Sequence, residues 1–390
     1  MDTADWAASG LAALTGHPDG PADGSRAAVL AGAREVAERW RAHTGVAVDA
    51  AELLAGRAAL LGLTRGGRVS AGGATHLFAS RDGWCALTLS RPDDIAAVPA
   101  LLEVDDVEDH WRAVERWAAS REGDEVAGRA RLLGLPIGVL GETRSSPTVV
   151  RHVGERCVRE YGELLVVDLS SMWAGPLCGQ LLVRAGATVV KVESAARPDG
   201  TRGGDRRFFD WMNTGKLCYT ADFADHDRLR ELLAAADVVI ESSRPDALRH
   251  RGLGPEDVLA RPGRVWLRIT AHGRVGDRAN WVGFGDDAGV SGGLVGAGPV
   301  FCGDAIADPL TGLQAALEVA ESLARGGGEV VEVSLAAVAA NYAELPSVDK
   351  ELPIPVALPI VPAPVPSAGE LGADNAHVDR LIGERTAAAC

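Results

Sequence analysis

The chain has 390 residues, of which 47% are hydrophobic and 24% are charged, and its formal net charge is −15. This length exceeds what one hydrophobic core usually organises, so we expect two domains. The acidic balance argues against nucleic acid as the main partner, because phosphate binding needs a basic surface. Any anionic ligand would instead be held by a local cluster of arginine, lysine and backbone N–H groups.

The six cysteines are scattered, with no CxxC pair and no histidine at zinc-finger spacing. This pattern favours reduced thiols over a disulfide framework or a metal site. The first residues, MDTADWAASG, are acidic where a signal peptide is basic, and no uncharged apolar run reaches the length of a membrane span. We therefore expect a cytoplasmic protein with no metal site.

The first 150 residues alternate stretches rich in Ala, Arg and Leu with short strand-like runs. The elements predicted here are helices at Ala27–Arg41 and Ala50–Leu63, strands at His76–Ser80 and Cys85–Leu89, and a helix containing Trp111–Ala118. We expect residues 1–150 to form a small α+β domain.

From Leu164 onward, short apolar runs alternate with helical patterns. The predicted β-α-β elements are Leu164–Leu169, Leu177–Ala185, Thr188–Glu193, Leu229–Ala235, Val238–Glu241, Pro255–Leu259 and Val265–Ile269. The alternation indicates an α/β domain over residues 160–345 with a doubly wound, mostly parallel, Rossmann-like sheet. Ligands of such sheets lie beyond the carboxyl ends of the strands.

The last segment, residues 346–390, begins with seven prolines between Pro346 and Pro366, separated mainly by apolar residues. This composition is typical of an extended polyproline II strap. We expect the strap to be followed by a C-terminal helix.

Four sequence landmarks stand in one order between Leu164 and Leu335. They are LLVVDLSSMWAGPLCGQLLVRAGATVVKVES, DWMNTGKL, ADVVIESSRPDALRHRGLG and IADPLTGLQAALEVAESLARGGGEVVEVSL. Together they resemble the family III CoA-transferases, which include carnitine CoA-transferase-like, formyl-CoA transferase-like and acyl-CoA racemase-like enzymes. The resemblance implies that an acyl-CoA and a carboxylic acid are the partners. CoA would then be a thioester substrate, with no permanently bound cofactor.

Asp308 is the candidate catalytic residue. Local sequence alone predicts a helix N-cap at Asp308, because Pro309 and an apolar-periodic run follow it. The family's nucleophilic aspartate stands four residues before a glycine, and Asp308 stands four before Gly312. The resemblance therefore implies that Asp308 attacks the acyl-CoA and forms a mixed anhydride and then an aspartyl-CoA thioester.

The substrate pocket implied by the resemblance includes Trp173 and Ala174 of the SSMWAGP segment, together with Gly72 and Gly73. Trp173 departs from the family pattern, which has a small or amide residue there, and is also compatible with a core position. Gly72 and Gly73 resemble the family's mobile glycine loop, although paired glycines are also typical of a simple turn.

The residues implied to bind CoA are basic and lie in loops of the large domain. Arg202 and Arg206 precede the NTGK segment that contains Lys216, and all three are expected at the CoA phosphates. Arg244 matches the family's E-x-x-R-P pattern, and His250 stands where a basic side chain is often present. Each of them also fits a solvated loop position.

Two alternatives to CoA transfer remain open at this stage. One is racemisation of an acyl-CoA, although Phe284 and Gly285 stand where racemase-like members have a His-Asp pair. The other is a non-catalytic CoA-binding subunit. The small-domain-like block precedes the large domain, which resembles a circular permutation of the family order. A single connection near residues 149–160 would then allow a homodimer that is not interlocked.

Overall fold

The computed structural model describes residues 3–222, 226–244, 247–348, 352 and 355–387. Pro245 of the E-x-x-R-P pattern and parts of the proline-rich strap lie outside these residues. Within the described residues, no helix combines the length and the apolarity needed to cross a membrane.

The helices are short to medium in length and occur throughout the chain. They are α1 Thr3–Ala8, α2 Ala28–Thr44, α3 Ala50–Leu61, α4 Pro92–Ala96, α5 Val98–Leu102, α6 His110–Ala118, α7 Gly123–Leu132, α8 Ala174–Arg184, α9 Arg206–Asn213, α10 His226–Ala235, α11 Gly285–Ser291, α12 Ala307–Ala324, α13 Leu335–Ala343 and α14 Asn375–Ala387.

The strands belong to one large sheet and two small ones. They are β1 Thr75–Ala79, β2 Trp84–Thr88, β3 Ile137–Val139, β4 Val149–His152, β5 Leu165–Asp168, β6 Thr188–Glu193, β7 Leu217–Thr220, β8 Val238–Glu241, β9 Val265–Thr270, β10 Val295–Gly296, β11 Val300–Phe301 and β12 Glu329–Ser334.

The large sheet has seven strands in the order β4-β12-β9-β8-β5-β6-β7. All neighbours are parallel except β4, which is an antiparallel edge strand. Alternate residues of β5 point to opposite faces: Val166 packs in the core with α8 and α12, and Val167 packs in the core with α10 and α14. Helices therefore cover both faces, and the predicted doubly wound α/β sheet is confirmed.

The smaller antiparallel sheet has the order β1-β2-β3 and a core of its own, built with α5, α6 and α7. The helices α2 and α3 instead share the core of the large domain, where α2 packs on α12. Apolar periodicity showed that these helices have a buried face, but not which domain covers it. The small sheet is thus inserted between α3 and β4, so two covalent connections join it to the large domain instead of the one expected.

One further element differs from the sequence expectations, and the strap follows a defined path. Residues 255–257 form a turn, so no helix occupies Pro255–Leu259. In the strap, the N–H of Ala357 donates to the carbonyl of Ala7, and Pro359 lies directly against Gly10. The strap therefore runs along the N-terminal helices before the chain returns to the large sheet, where α14 packs beside β7 and α10.

Candidate active site

A cleft of about 960 Å³, its open mouth included, lies where the small sheet meets the loops at one end of the large sheet. Its walls are mainly apolar or aromatic, and Asp308 lies in it. The residues that line it are Arg57, Leu61, Ser70, Gly72, Ala74, Thr75, Thr88, Ser90, Met172, Trp173, Gly200, Thr201, Gly204, Asp205, Phe208, Phe284, Asp286, Ala305 and Asp308.

Asp308 is the second residue of α12, and the residue at the cap position is Ile306. The predicted N-cap role of Asp308 is therefore wrong, because Asp308 lies within the first turn of the helix. Its Oδ2 accepts a hydrogen bond from the backbone N–H of Gly285, the first residue of α11, at 3.0 Å. The carboxyl group is thus held between two helix N-termini, whose positive ends favour a carboxylate.

The protonation of Asp308 is set by its surroundings. Burial, reinforced by the charge of Asp286, raises the pKa of Asp308 to about 7, although Arg57 and the Gly285 N–H oppose the shift. A carboxyl group with a pKa near neutrality exchanges its proton readily at physiological pH. Part of the population therefore carries a nucleophilic carboxylate.

Asp286 and Asp304 act on this carboxyl group, Asp287 adjoins Asp286, and each of the three accepts hydrogen bonds from specific donors. Asp286 accepts hydrogen bonds from the Thr75 hydroxyl at 3.2 Å and from the N–H of Ala305 at 3.0 Å. Asp304 accepts two from Arg57, and Asp287 accepts one from the Thr88 hydroxyl at 2.7 Å. The bonds from Thr75 and Thr88 join the small sheet to the large domain, and the bonds from Arg57 join α3 to the loop before α12. Burial raises the pKa of Asp286 to about 6 and that of Asp287 to about 8.

Trp173 precedes α8 and is 3% exposed. Its indole ring packs edge-on against Phe208 at a centroid distance of 5.4 Å. Met172 has a left-handed backbone with φ of 75°, and its N–H donates to the buried carboxylate of Asp199. This strained turn presents Met172 and Trp173 as a wall of the cleft. Trp173 is thus buried, as a core residue would be, and it also lines the cleft, as a pocket residue would.

The other residues predicted for the substrate pocket are placed differently. Ala174 is the first residue of α8 and is buried beside Gly312, outside the cleft lining. Gly72 lines the cleft, whereas Gly73 lies in a turn with φ of 78° and donates its N–H to Ser70. The paired glycines therefore form a turn, and one of them also faces the site.

The structure contradicts the prediction that Lys216 contacts CoA phosphates. Its side chain is fully buried, and its ammonium group donates to Asp168, to Asn213 and to the carbonyl of Pro176 at 2.8–3.0 Å. All three donors of the ammonium group are thereby used. The motif position of Lys216 was visible in the sequence, but its burial was not.

Arg202 and Arg206 are also engaged in protein contacts. Arg202 forms a two-pronged ion pair with Glu193 and is 12% exposed. Arg206 pairs with Asp210 and donates to the carbonyl of Ala368 at 2.6 Å. Both arginines also hold the chain that follows the strap. Their ion pairs with Glu193 and Asp210 would have to break before either arginine could contact a phosphate as predicted.

Arg244 lies in a second, polar pocket at the carboxyl ends of β8 and β9. Three other arginines, Arg91, Arg197 and Arg251, line the same pocket. His250 is exposed and lies in a single helical turn outside the pocket lining. The structure thus brings Arg244 together with other cations but leaves His250 apart from them.

Sequence reasoning missed Arg57, Asp286 and the arginines Arg91 and Arg197. None of them belongs to a recognisable motif, and Arg57 and Arg91 reach the site only because α3 and the small sheet pack there. The Asp-Asp pair at residues 286–287 was the one local signal. Among the described residues, no cluster of three or more His, Cys, Asp or Glu side chains could hold a metal ion.

Comparison with known proteins agrees with the sequence landmarks. Residues 162–355 match the model of CoA-transferase family III. The chain belongs to this family over these residues. Arg57 and the small sheet lie outside the matched segment.

The curated relatives of the chain include several named CoA-transferases. Succinyl-CoA–D-citramalate CoA-transferase of Chloroflexus aurantiacus is 28% identical over 202 residues, which are 46% of this chain and 50% of that protein. Succinate–glutarate CoA-transferase of Agrobacterium fabrum is 30% identical over 197 residues, which are 44% and 49% of the two chains. The chain thus spans about half the length of these relatives.

Solved structures also match part of the chain. A CAIB/BAIF family protein from Brucella suis matches with 30% identity and a TM-score of 0.43, over 48% of this chain and 55% of that chain.

Proposed function

We propose that this protein transfers CoA from an acyl-CoA to a carboxylic acid, with Asp308 as the nucleophile. The observation that carries the proposal is the placement of Asp308. It lies in the family-matched segment, faces the cleft and is held by the N–H of Gly285 with a pKa near 7. The named acids of the relatives, D-citramalate and glutarate, support a carboxylic acid as the acceptor class.

The proposed reaction has two symmetrical halves. An Asp308 oxygen attacks the thioester carbonyl, so a C–O bond forms, the C–S bond breaks and CoA leaves as a thiolate. The thiolate then attacks the Asp308 carbonyl of the anhydride, which gives an Asp308–CoA thioester and releases the donor acid. The acceptor carboxylate reverses these steps and leaves Asp308 as a carboxylate. No oxidant, reductant or net proton is required.

The arginine-lined pocket at Arg244 supports a path for the CoA. Three consecutive residues connect the two sites: Gly283 lines the arginine pocket, Phe284 lines the cleft, and Gly285 donates to Asp308. We propose that the phosphates of CoA bind among the arginines, where guanidinium groups can pair with phosphate oxygens. The pantetheine arm would then pass Phe284 and place the thioester at Asp308.

The test is covalent trapping. The protein is incubated with a panel of acyl-CoAs and treated with hydroxylamine, and the modified residue is mapped by mass spectrometry. Asp308 is expected to become a hydroxamate, and Asp308→Asn should abolish both the label and turnover. Asp205→Asn is the matched control, because Asp205 lines the same cleft but pairs with Arg207. CoA binding without any label or turnover would instead support a non-catalytic subunit.

A second candidate function, acyl-CoA racemisation, is favoured by one observation. Asp286 and Asp308 both line the cleft, so two carboxyl groups could face one α-carbon. Gly285 itself cannot carry a base, because a Cβ there would lie 2.5 Å from Asp308 Oδ2. Incorporation of deuterium at the α-carbon of an acyl-CoA in D2O, lost in Asp286→Asn, would support this candidate over CoA transfer.

A further inference from the structure

Arg57 is a cation placed in the cleft without full use of its donors. It lies on α3, and its side chain is 24% exposed. Its Nη1 donates to both carboxylate oxygens of Asp304, at 2.6 and 2.7 Å. Among the described residues, its Nε and Nη2 have no hydrogen-bonding partner. Because a guanidinium group has five N–H donors, most of its binding capacity remains available.

The position of this guanidinium group is fixed. It lies 5.5 Å from the ring centroid of Trp173 and 5.6 Å from that of Phe208, and it also pairs with the buried carboxylate of Asp304. Cation–π contacts of this kind hold a guanidinium group without occupying its donors. Arg57 therefore resembles a preformed anion site more than a structural ion pair.

The rest of the cleft determines which anions fit. Among the described lining residues, Arg57 is the one with a permanent positive charge, and its charge also acts on Asp308. Asp286 and Asp308 would repel any anion that lacks this partner. The remaining walls are largely apolar and include Leu61, Trp173 and Phe284. The cleft is suited to one carboxylate on a hydrophobic body.

We propose that Arg57 binds the reacting carboxylate of the acid substrate, and that this acid is monocarboxylic with an apolar body. The inference rests on the proposed CoA transfer. With its carboxylate on Arg57, the acid attacks the Asp308–CoA thioester: a C–O bond forms, the C–S bond breaks and CoA leaves as a thiolate. A second carboxylate on the acid would be buried with no cation beside it, which is strongly unfavourable.

The experiment compares wild type with Arg57→Gln and Arg57→Lys, using pentanoate and glutarate as acids of equal chain length. We expect Arg57→Gln to raise the KM for pentanoate about tenfold or more, since a charge-assisted hydrogen bond contributes that much affinity. The KM for acyl-CoA should change less than twofold, and Asp308 should still be trapped at pH 8. Arg57→Lys should restore part of the acid affinity, which a purely structural role would not predict. Wild type should prefer pentanoate over glutarate in kcat/KM.

The control variant is Arg68→Gln, an exposed arginine on the loop that leads to Gly72 and outside the cleft lining. Calorimetric titration of each acid into the free protein gives a readout that needs no turnover. Equal pentanoate binding by wild type and Arg57→Gln, or a preference for glutarate, would overturn the inference. A wild type that is not trapped at Asp308 but still binds pentanoate through Arg57 would defeat the proposed function and leave the acid site standing.

Discussion

Two clusters of buried charge lie close to the carboxyl ends of the large sheet, and their composition differs. In the first, Lys191 pairs with Asp199 at 2.8 Å and Lys216 pairs with Asp168 at 2.9 Å, and all four side chains are fully buried. In the second, Asp286 and Asp304 lie near Asp308, and Arg57 is the cation that acts on Asp308. The first cluster has a cation for each of its anions, and the second has more anions than cations.

The balance of charge explains the different protonation of the two clusters. Burial alone would raise the pKa of Asp168, but Lys216 and Lys191 outweigh it and hold that pKa below its usual value. Around Asp308, burial and neighbouring aspartates act in the same direction, and the pKa rises to about 7. The first, compensated cluster supports the fold, whereas the second, uncompensated cluster remains poised to bind protons, substrate or both.

The largest effect is expected from breaking the compensated cluster. Lys216→Met leaves the Asp168 carboxylate buried without its main partner, which should lower the free energy of unfolding by about 3–5 kcal/mol. Urea denaturation followed by circular dichroism measures this. The double variant Asp168→Leu/Lys216→Met is the control and should recover much of the loss. Normal stability of Lys216→Met, with weaker CoA binding, would instead restore Lys216 as a phosphate ligand.

The opposite change in stability is expected from neutralising Asp287, which adjoins the uncompensated cluster at Asp286. The pKa of Asp287 is raised to about 8, so between pH 4 and 8 the folded protein holds a proton that the unfolded chain has released. Stability therefore falls as pH rises through this window, by at most about 1.4 kcal/mol per pH unit. The variant Asp287→Asn does not lose stability with rising pH in this way. Its asparagine can still accept hydrogen bonds from the Thr88 hydroxyl and the Phe284 N–H.

Melting temperatures at pH 5 and pH 8 test this prediction. The melting temperature of Asp287→Asn relative to wild type should be higher at pH 8 than at pH 5. An equal difference at both pH values would show that Asp287 is ionised in the folded protein throughout this range.

The two clusters also show which structural features could be predicted from the sequence. The parallel strands and α8 could be predicted, because the burial and the periodicity of each segment are visible in its own sequence. Asp308 could be singled out as a candidate because the resemblance to the family places the nucleophilic aspartate four residues before a glycine, as Asp308 precedes Gly312. The pairing of Lys216 and the position of Arg57 in the cleft could not be predicted, because both depend on packing between elements that are distant in the chain. Periodicity identifies a buried face of α3 but does not say that Arg57 reaches the cleft from it.

The smallest effect should come from Asp286→Asn, which changes the charge beside Asp308 without touching the nucleophile. In wild type, the rate of Asp308 trapping should rise with pH through about 7, because only the ionised carboxylate attacks the thioester. Asp286 raises that pKa, while Arg57 lowers it and Asp304 adds a smaller increase. Removing the charge at residue 286 therefore moves the midpoint to lower pH, and the variant should be trapped faster than wild type at pH 6.

The variant keeps one contact of the original side chain, because asparagine can still accept a hydrogen bond from the Ala305 N–H. Asp205→Asn again serves as the control. A midpoint that is unchanged or higher in Asp286→Asn would mean that burial alone sets the pKa of Asp308 and that the excess of negative charge has no part in it.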